Sequence, residues 1–333
     1  MVRREDAMVP EAEFRSYYGQ PVIKAPVWHV PHMPLYLYLG GLSGGASLMS
    51  AAARLAGHDR LGLTARVTAA AGAVLGAGFL VAELGRPERF LNMLRIFKPT
   101  SPMSVGSWVL AAHSGLTALA TASAVTSAAP ASVVAARLPR RVAALLPAAG
   151  DAAAMVTALT GPLMATYTAV LVADTAVPAW HEAHRELPFL FAGSALASAG
   201  AVGMLATPRA QAGPARVAAA AGAAVELAAG AVIERRLGLV GEPYREGKSG
   251  RLMRAARALT AGGGLLAAVA GRSRTLTVLS GLALTGGALC TRFGVLEAGR
   301  ASAADPKYTV VPQRQRLESG DRASTPAPSR SWP

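Results

Sequence analysis

The feature that most constrains this chain is a recurring, unbroken apolar run of about 20 residues, the length an α-helix needs to cross roughly 30 Å of hydrocarbon. A soluble domain would confine its apolar residues to one face of each helix. Here they fill every face: 52% of the 333 residues are hydrophobic and only 16% are charged. Inside lipid, each backbone N–H and C=O must be satisfied within the segment, which makes such runs helices. Runs at 34–56, 64–84, 104–127, 146–173, 187–207, 214–233, 255–271 and 275–296 define an all-α, polytopic membrane protein, a bundle of eight transmembrane helices. Pro147 and the Gly161-Pro162 pair predict a kink or a late start in the fourth run. A polar N-terminal segment (1–33) precedes the membrane domain (34–297), and a polar, partly disordered tail (298–333) follows. Beyond about Pro312 the Arg-, Ser- and Pro-rich sequence is expected to be disordered or to lie along a partner.

Aromatics make up 5% of the chain while alanine and glycine abound, a composition that lets membrane helices approach closely. The net charge of +14 does not mark a nucleic-acid binder, because the arginines sit in short loops between apolar runs. The single cysteine, Cys290, excludes an internal disulfide, an iron–sulfur cluster held by this chain alone and a covalent haem site. Met1 to Lys24 is polar and mixed in charge, so no cleavable signal peptide is expected and the first span acts as its own insertion signal.

Eight spans put both termini on one side and divide the loops into two classes. Alternate loops are short and nearly pure arginine: Arg54, Arg60 and Arg66; Arg137, Arg140 and Arg141; Arg209 and Arg216; Arg272 and Arg274. The opposite side carries almost every acid, most of the tryptophan and every exposed histidine except His58. One face is plain and basic, the other chemically diverse, and function is expected on the diverse face. The positive-inside pattern leaves orientation open, with the dense arginines of the short loops favouring a cytoplasmic plain face.

Three stretches on the diverse face are richer than a connector requires. Trp28, His29, His32, Tyr36 and Tyr38 cluster at the mouth of the first span, followed by glycines from Gly40 to Gly45. These aromatics can form an interfacial belt, or the wall of a site for an aromatic headgroup with two carbonyl oxygens. The glycines would let a neighbouring helix or a flat ring approach the backbone. In the second stretch, Arg89, Phe90, Met93, Leu94 and Phe97 have helical spacing, which predicts an amphipathic interfacial helix, with Glu83 and Arg86 paired at the end of the second span. In the third, Tyr167 and Asp174 lie seven apart, on one helical face, and either serve as a proton route or simply bond to nearby backbone. The 86–103 segment and the 174–186 loop are the expected docking surface for a partner.

The Leu39 to Gly45 stretch, the Glu83 to Phe90 stretch followed by Met103-Ser104-Val105-Gly106-Ser107-Trp108, and Tyr167-Thr168 before Asp174 together resemble the NrfD-type polysulfide reductase membrane subunits, over roughly residues 28–310. The resemblance implies a multi-pass anchor, in the inner or plasma membrane, for a molybdopterin catalytic subunit and a four-cluster-type iron–sulfur subunit of anaerobic respiration. It implies electron exchange between that partner and the quinone pool, menaquinone or ubiquinone, as an exchangeable substrate. Carried onto this chain, the quinone site falls on His32, Met33 and Tyr36, with His29 beside them, and on Tyr167 in the fourth span. An amide side chain expected near Met33 is absent, which removes one hydrogen bond to the headgroup. The chain is expected to bind no metal and no haem, since only His113 lies inside a span and a membrane b-type haem usually needs two such histidines. A second reading, a proton-translocating or transporter-type module, rests on Glu226, an acid inside the sixth span and a possible intramembrane relay. One isolated acid without broken helix pairs or an inverted repeat makes that case the weaker one.

Overall fold

The computed structural model describes residues 22–130, 132 and 138–318; most of the expected N-terminal segment and the tail beyond 318 lie outside them. Among the described residues the fold is all-α. Eight long helices carry it: α1 (His32–Leu55), α2 (Asp59–Glu83), α3 (Pro102–Ala128), α4 (Arg140–Ala173), α6 (Leu187–Ala206), α7 (Gly213–Arg236), α9 (Gly247–Val269) and α10 (Arg274–Ala304). Between and after them run the short helices α5 (Pro178–Glu182) and α8 (Glu242–Arg245) and the C-terminal α11 (Lys307–Glu318). Six of the long helices, all but α1 and α9, are long and apolar enough to cross a membrane, so the chain is a multi-pass membrane protein. The two exceptions have legible causes. Helix α1 is diluted by Gly, Ser and Tyr, and α9 carries Lys248, Arg251, Arg254 and Arg257 in its first half.

The long helices form two four-helix groups, α1–α4 and α6, α7, α9 and α10. Helix α1 joins them, packing on α2 and α4 on one side and on α6 and α10 on the other. Its residues from Met33 to Ala53 are therefore mostly buried by protein rather than by lipid, and its glycines serve that position. A Cβ on Gly44 would collide with the backbone of Gly161 in α4, and one on Gly45 with the backbone of Ala195 in α6. The glycine stripe is thus occupied by neighbouring helices and not by a flat ring. Large apolar side chains on the outside, such as Val74, Leu75 and Leu159, remain exposed, as lipid-facing positions of a membrane bundle do.

Local differences from the sequence reading follow from backbone chemistry. Helix α4 starts at Arg140, six residues before the apolar run, and continues through both Pro147 and Pro162. The 87–94 segment is a 3-10 helix opened by Pro87, not an amphipathic α-helix, and none of its residues is buried. Helix α10 extends to Ala304, and α11 is helical through Pro312 to Glu318, at the start of the tail expected to be disordered or to lie along a partner. At the plain end, Arg54 of α1 (2.8 Å) and Arg66 of α2 (3.1 Å) converge on Asp151 of α4. Those loops also hold one another, for example through the Arg60 N–H donating to Gln211 at 3.0 Å.

Candidate functional site

Helix α1 begins at His32 and presents His32 and Tyr36, four residues apart, on one face. Helix α4 brings Tyr167 to them from about 9 Å below its own last residue, Ala173. Tyr36 is 3% exposed, and its phenolic oxygen touches that of Tyr167. The Tyr167 ring fits there because α3 offers no side chain at Gly106, where a Cβ would lie 2.6 Å from the ring.

Helix α2 ends at the same place. Gly85, at φ +65°, turns the chain away in the left-handed conformation that glycine adopts freely, so Arg86 departs and Glu83 stays. The expected Glu83–Arg86 pair is not found among the described residues. Glu83 Oε1 instead accepts the His29 backbone N–H at 2.8 Å and lies 3.2 Å from His29 Nδ1. Its Oε2, 3.7 Å from His32 Nδ1, is buried without a hydrogen-bond partner. The Phe79 ring, one turn before Glu83, lies 6.3 Å from the His32 ring. Glu83, expected to pair with Arg86, thus gathers His29 and His32, while Tyr36, one turn along α1 from His32, meets Tyr167. His29 points largely to solvent, with 71% of its side chain exposed.

Asp174 caps the C-terminal end of α4 and is exposed, two turns along the helix from Tyr167 and outside this cluster. Beside it, a strap closes the diverse face. Trp28 stacks on Trp180 of α5 at 5.2 Å, and Trp180 Nε1 donates to the Val295 carbonyl of α10 at 2.7 Å. Arg300 Nη2 holds the Trp28 carbonyl at 2.6 Å. Tyr244 of α8 donates to the Ala179 carbonyl at 2.9 Å, and burial pushes its phenol above the ordinary value. Lys307 Nζ pairs with Glu242 at 3.0 Å and ties α11 to α8; that bond lowers the Glu242 carboxyl and raises the Lys307 ammonium.

Glu226 lies elsewhere, in the second helix group. It is 4% exposed, and Thr291 Oγ1 donates to its Oε1 at 2.5 Å while Oε2 has no partner. Next in sequence, Arg292 is fully buried. Its guanidinium sits 3.7 Å over the Phe191 ring and donates to the Phe191 carbonyl at 3.1 Å and the Leu37 carbonyl at 3.4 Å. A cavity of about 70 Å³ lies beside Glu226, lined also by Thr260 and Thr291, with room for a few waters. Sequence reasoning missed Arg292, although an arginine inside the last apolar run was the available signal.

Among the described residues, no group of three or more His, Cys, Asp or Glu side chains could hold a metal ion. No curated protein matches the chain. The family model for polysulphide reductase, NrfD, matches residues 20–233, more than half of the sequence and every element of the tyrosine cluster. The chain therefore belongs to the NrfD polysulphide reductase family.

Proposed function

We propose that this protein is the membrane subunit of an oxidoreductase complex, passing electrons between a partner's iron–sulfur cluster and the quinone pool of the inner or plasma membrane. All eight long helices cross the bilayer in this reading, with α1 shielded from lipid by its neighbours and α9 carrying its four cations in the half nearer the diverse face. The observation that carries it is the convergence of His32, Tyr36, Tyr167 and Glu83 at the ends of three helices in a chain of this family. Two phenols offer hydrogen bonds to a headgroup carbonyl, exchanging their contact with each other for it. The buried, unpartnered Glu83 Oε2 suits the reduced form, whose hydroxyl can donate to it. His32, with Nδ1 3.7 Å from that carboxylate, offers its other ring nitrogen to the headgroup.

Quinone reduction takes two electrons and two protons, and quinol oxidation returns them. The electrons come from or go to an iron–sulfur subunit with its molybdopterin partner, docked on the diverse face at the 174–186 turn. The protons exchange with water through Asp174, exposed at the end of the helix that carries Tyr167. Quinol-dependent turnover of the purified complex tests this directly. Tyr36→Phe is expected to slow turnover at least tenfold with the complex assembled, and Asp174→Asn to slow it less. Full turnover in a Tyr36→Phe, His32→Ala double variant places the quinone elsewhere.

The buried Glu226–Arg292 cluster favours one addition, a proton-translocating role for the second helix group. Glu226→Gln is then expected to abolish coupled proton movement in vesicles while quinone turnover persists. Unchanged coupling leaves Glu226 a structural partner of Thr291.

A further inference from the structure

Apart from both clusters, a cavity of about 540 Å³ opens at the outer edge of the 3-10 turn, against the first turn of α3. Asn92, Arg95, Lys98 and Ser101 line its polar side, Ile96 and Met103 its apolar side. Its backbone is held open from within: Ser104 Oγ accepts the Lys98 N–H at 3.0 Å and donates to the Ile96 carbonyl at 3.1 Å. No acid lines the cavity. Between Leu84 and Ser101 the cations Arg86, Arg89, Arg95 and Lys98 face a single acid, Glu88.

The segment joins α2 and α3, both apolar enough to cross a membrane, so it lies at the depth of lipid headgroups. Its large apolar side chains are uncovered by protein: Leu91 is 70% exposed, Ile96 75% and Phe97 56%. Leaving such groups in water is unfavourable by roughly 25 cal/mol per Å². Phe97 also meets Trp108 edge to face at 6.3 Å, an aromatic pair suited to the membrane–water boundary. Cations beside an acid-free cavity that also exposes apolar side chains match a molecule that is anionic at one end and hydrocarbon at the other.

We propose that this cavity binds an anionic phospholipid, its phosphate between Arg95 and Lys98 and its acyl chains along Ile96 and Met103. Bound there, the lipid fixes the turn that connects the two helices carrying Glu83 and Gly106. The site is separate from the quinone proposal and does not depend on it.

Native mass spectrometry of the full-length chain, with phosphatidylglycerol and phosphatidylcholine supplied in equal amounts, tests it. The unaltered protein is expected to retain phosphatidylglycerol preferentially. Arg95→Ala with Lys98→Ala should reduce that preference about thirtyfold, given about 1 kcal/mol per basic residue at an anionic surface. Arg140→Ala with Arg141→Ala, on the other face, should leave it intact. Bromine-labelled phosphatidylglycerol gives a second readout that needs no charge-removing variant: quenching of tryptophan fluorescence that disappears in Trp108→Phe. Preference unchanged in the Arg95, Lys98 variant, or no quenching at Trp108, overturns the proposal. Inorganic phosphate displacing the lipid at millimolar concentration would make this a free-anion site. Cross-links from Lys98 to a protein partner with no retained lipid would make it a docking surface. Either result also overturns the lipid assignment.

Discussion

Each half of the bundle buries a polar cluster midway between its helices, and these two are built on opposite terms. In the first half the centre is His113 of α3, fully buried. Its Nδ1 meets Thr160 Oγ1 of α4 at 2.9 Å and its Nε2 meets Ser43 Oγ of α1 at 3.0 Å. The Ser43 hydroxyl proton is already committed to the Ala69 carbonyl of α2, at 2.7 Å. Ser43 must therefore accept from Nε2–H, while Nδ1 pairs with Thr160, whose hydroxyl also lies 3.5 Å from the Thr157 carbonyl. His113 and Ser43 together thus link four helices, with both ring nitrogens satisfied. In the second half, Glu226 Oε2, Arg292 Nη1, Thr260 Oγ1 and Ser194 Oγ are all buried without partners, and Glu226 and Thr260 line the 70 Å³ cavity. Buried polar atoms are normally paired, because an orphan costs its full desolvation. The satisfied cluster is a fastener; the unsatisfied one has capacity left for water or a proton.

The largest test of that contrast is Arg292→Met. It leaves Glu226 without its buried cation and is expected to cost about 3–5 kcal/mol, read as a fall in thermal stability in detergent. Adding Glu226→Gln should restore whatever part of the loss comes from a carboxyl left near no cation, although the two side chains make no direct bond. Failure of the second change to recover stability would mean that the contacts of Arg292 to Phe191 and Leu37 dominate. Next in size is His113→Leu, which strands the Ser43 oxygen and the Thr160 hydroxyl and should cost about 1–3 kcal/mol. Turnover by the molecules that fold should be unchanged. A proton-linked defect in His113→Leu would erase the distinction between the two clusters.

The smallest effect is expected at the surface, where Glu242 and Lys307 pair outside the membrane. The folded-state carboxyl of Glu242 lies below its ordinary value, so the tether contributes above roughly pH 4.3 and fades as pH falls through the lowered value. Lys307 lies above its own ordinary value, so on the alkaline side the contribution persists until pH rises through that raised value. Protease cleavage within α11 should therefore speed up under acid conditions, and Glu242→Gln should abolish that dependence.

Much of this was legible in the sequence. Each apolar run lies on a long helix, because a 20-residue stretch in lipid has one backbone solution. The two-faced loop pattern follows from the same alternation, and the residues that meet at the site, His29, His32, Tyr36 and Tyr167, stood out as polar aromatics at span ends. What pairing they adopt was not legible. Glu83 looked like a partner for Arg86 three residues on, yet the left-handed turn at Gly85 decides otherwise. Arg292 stood in plain view inside the last apolar run, but its partners on α1 and α6 are far away in sequence and could not be read from it. Pro87 and Pro312 misled in opposite directions, one opening a 3-10 turn where an α-helix was expected, the other accommodated inside a helix.

The bond from Arg300 to the Trp28 carbonyl spans 272 residues of sequence. During synthesis the N-terminal strap is made first, but its anchor emerges from the ribosome almost last. With chain elongation at roughly 5–20 residues per second, the interval is on the order of 10 to 60 seconds. Throughout that time His29 and His32 can already meet Glu83 of α2, while Trp28 remains unset above them. The tryptophan strap is thus finished only when α10 is in place, so a prematurely terminated chain could hold its histidines on α2 yet present an incomplete mouth to any partner.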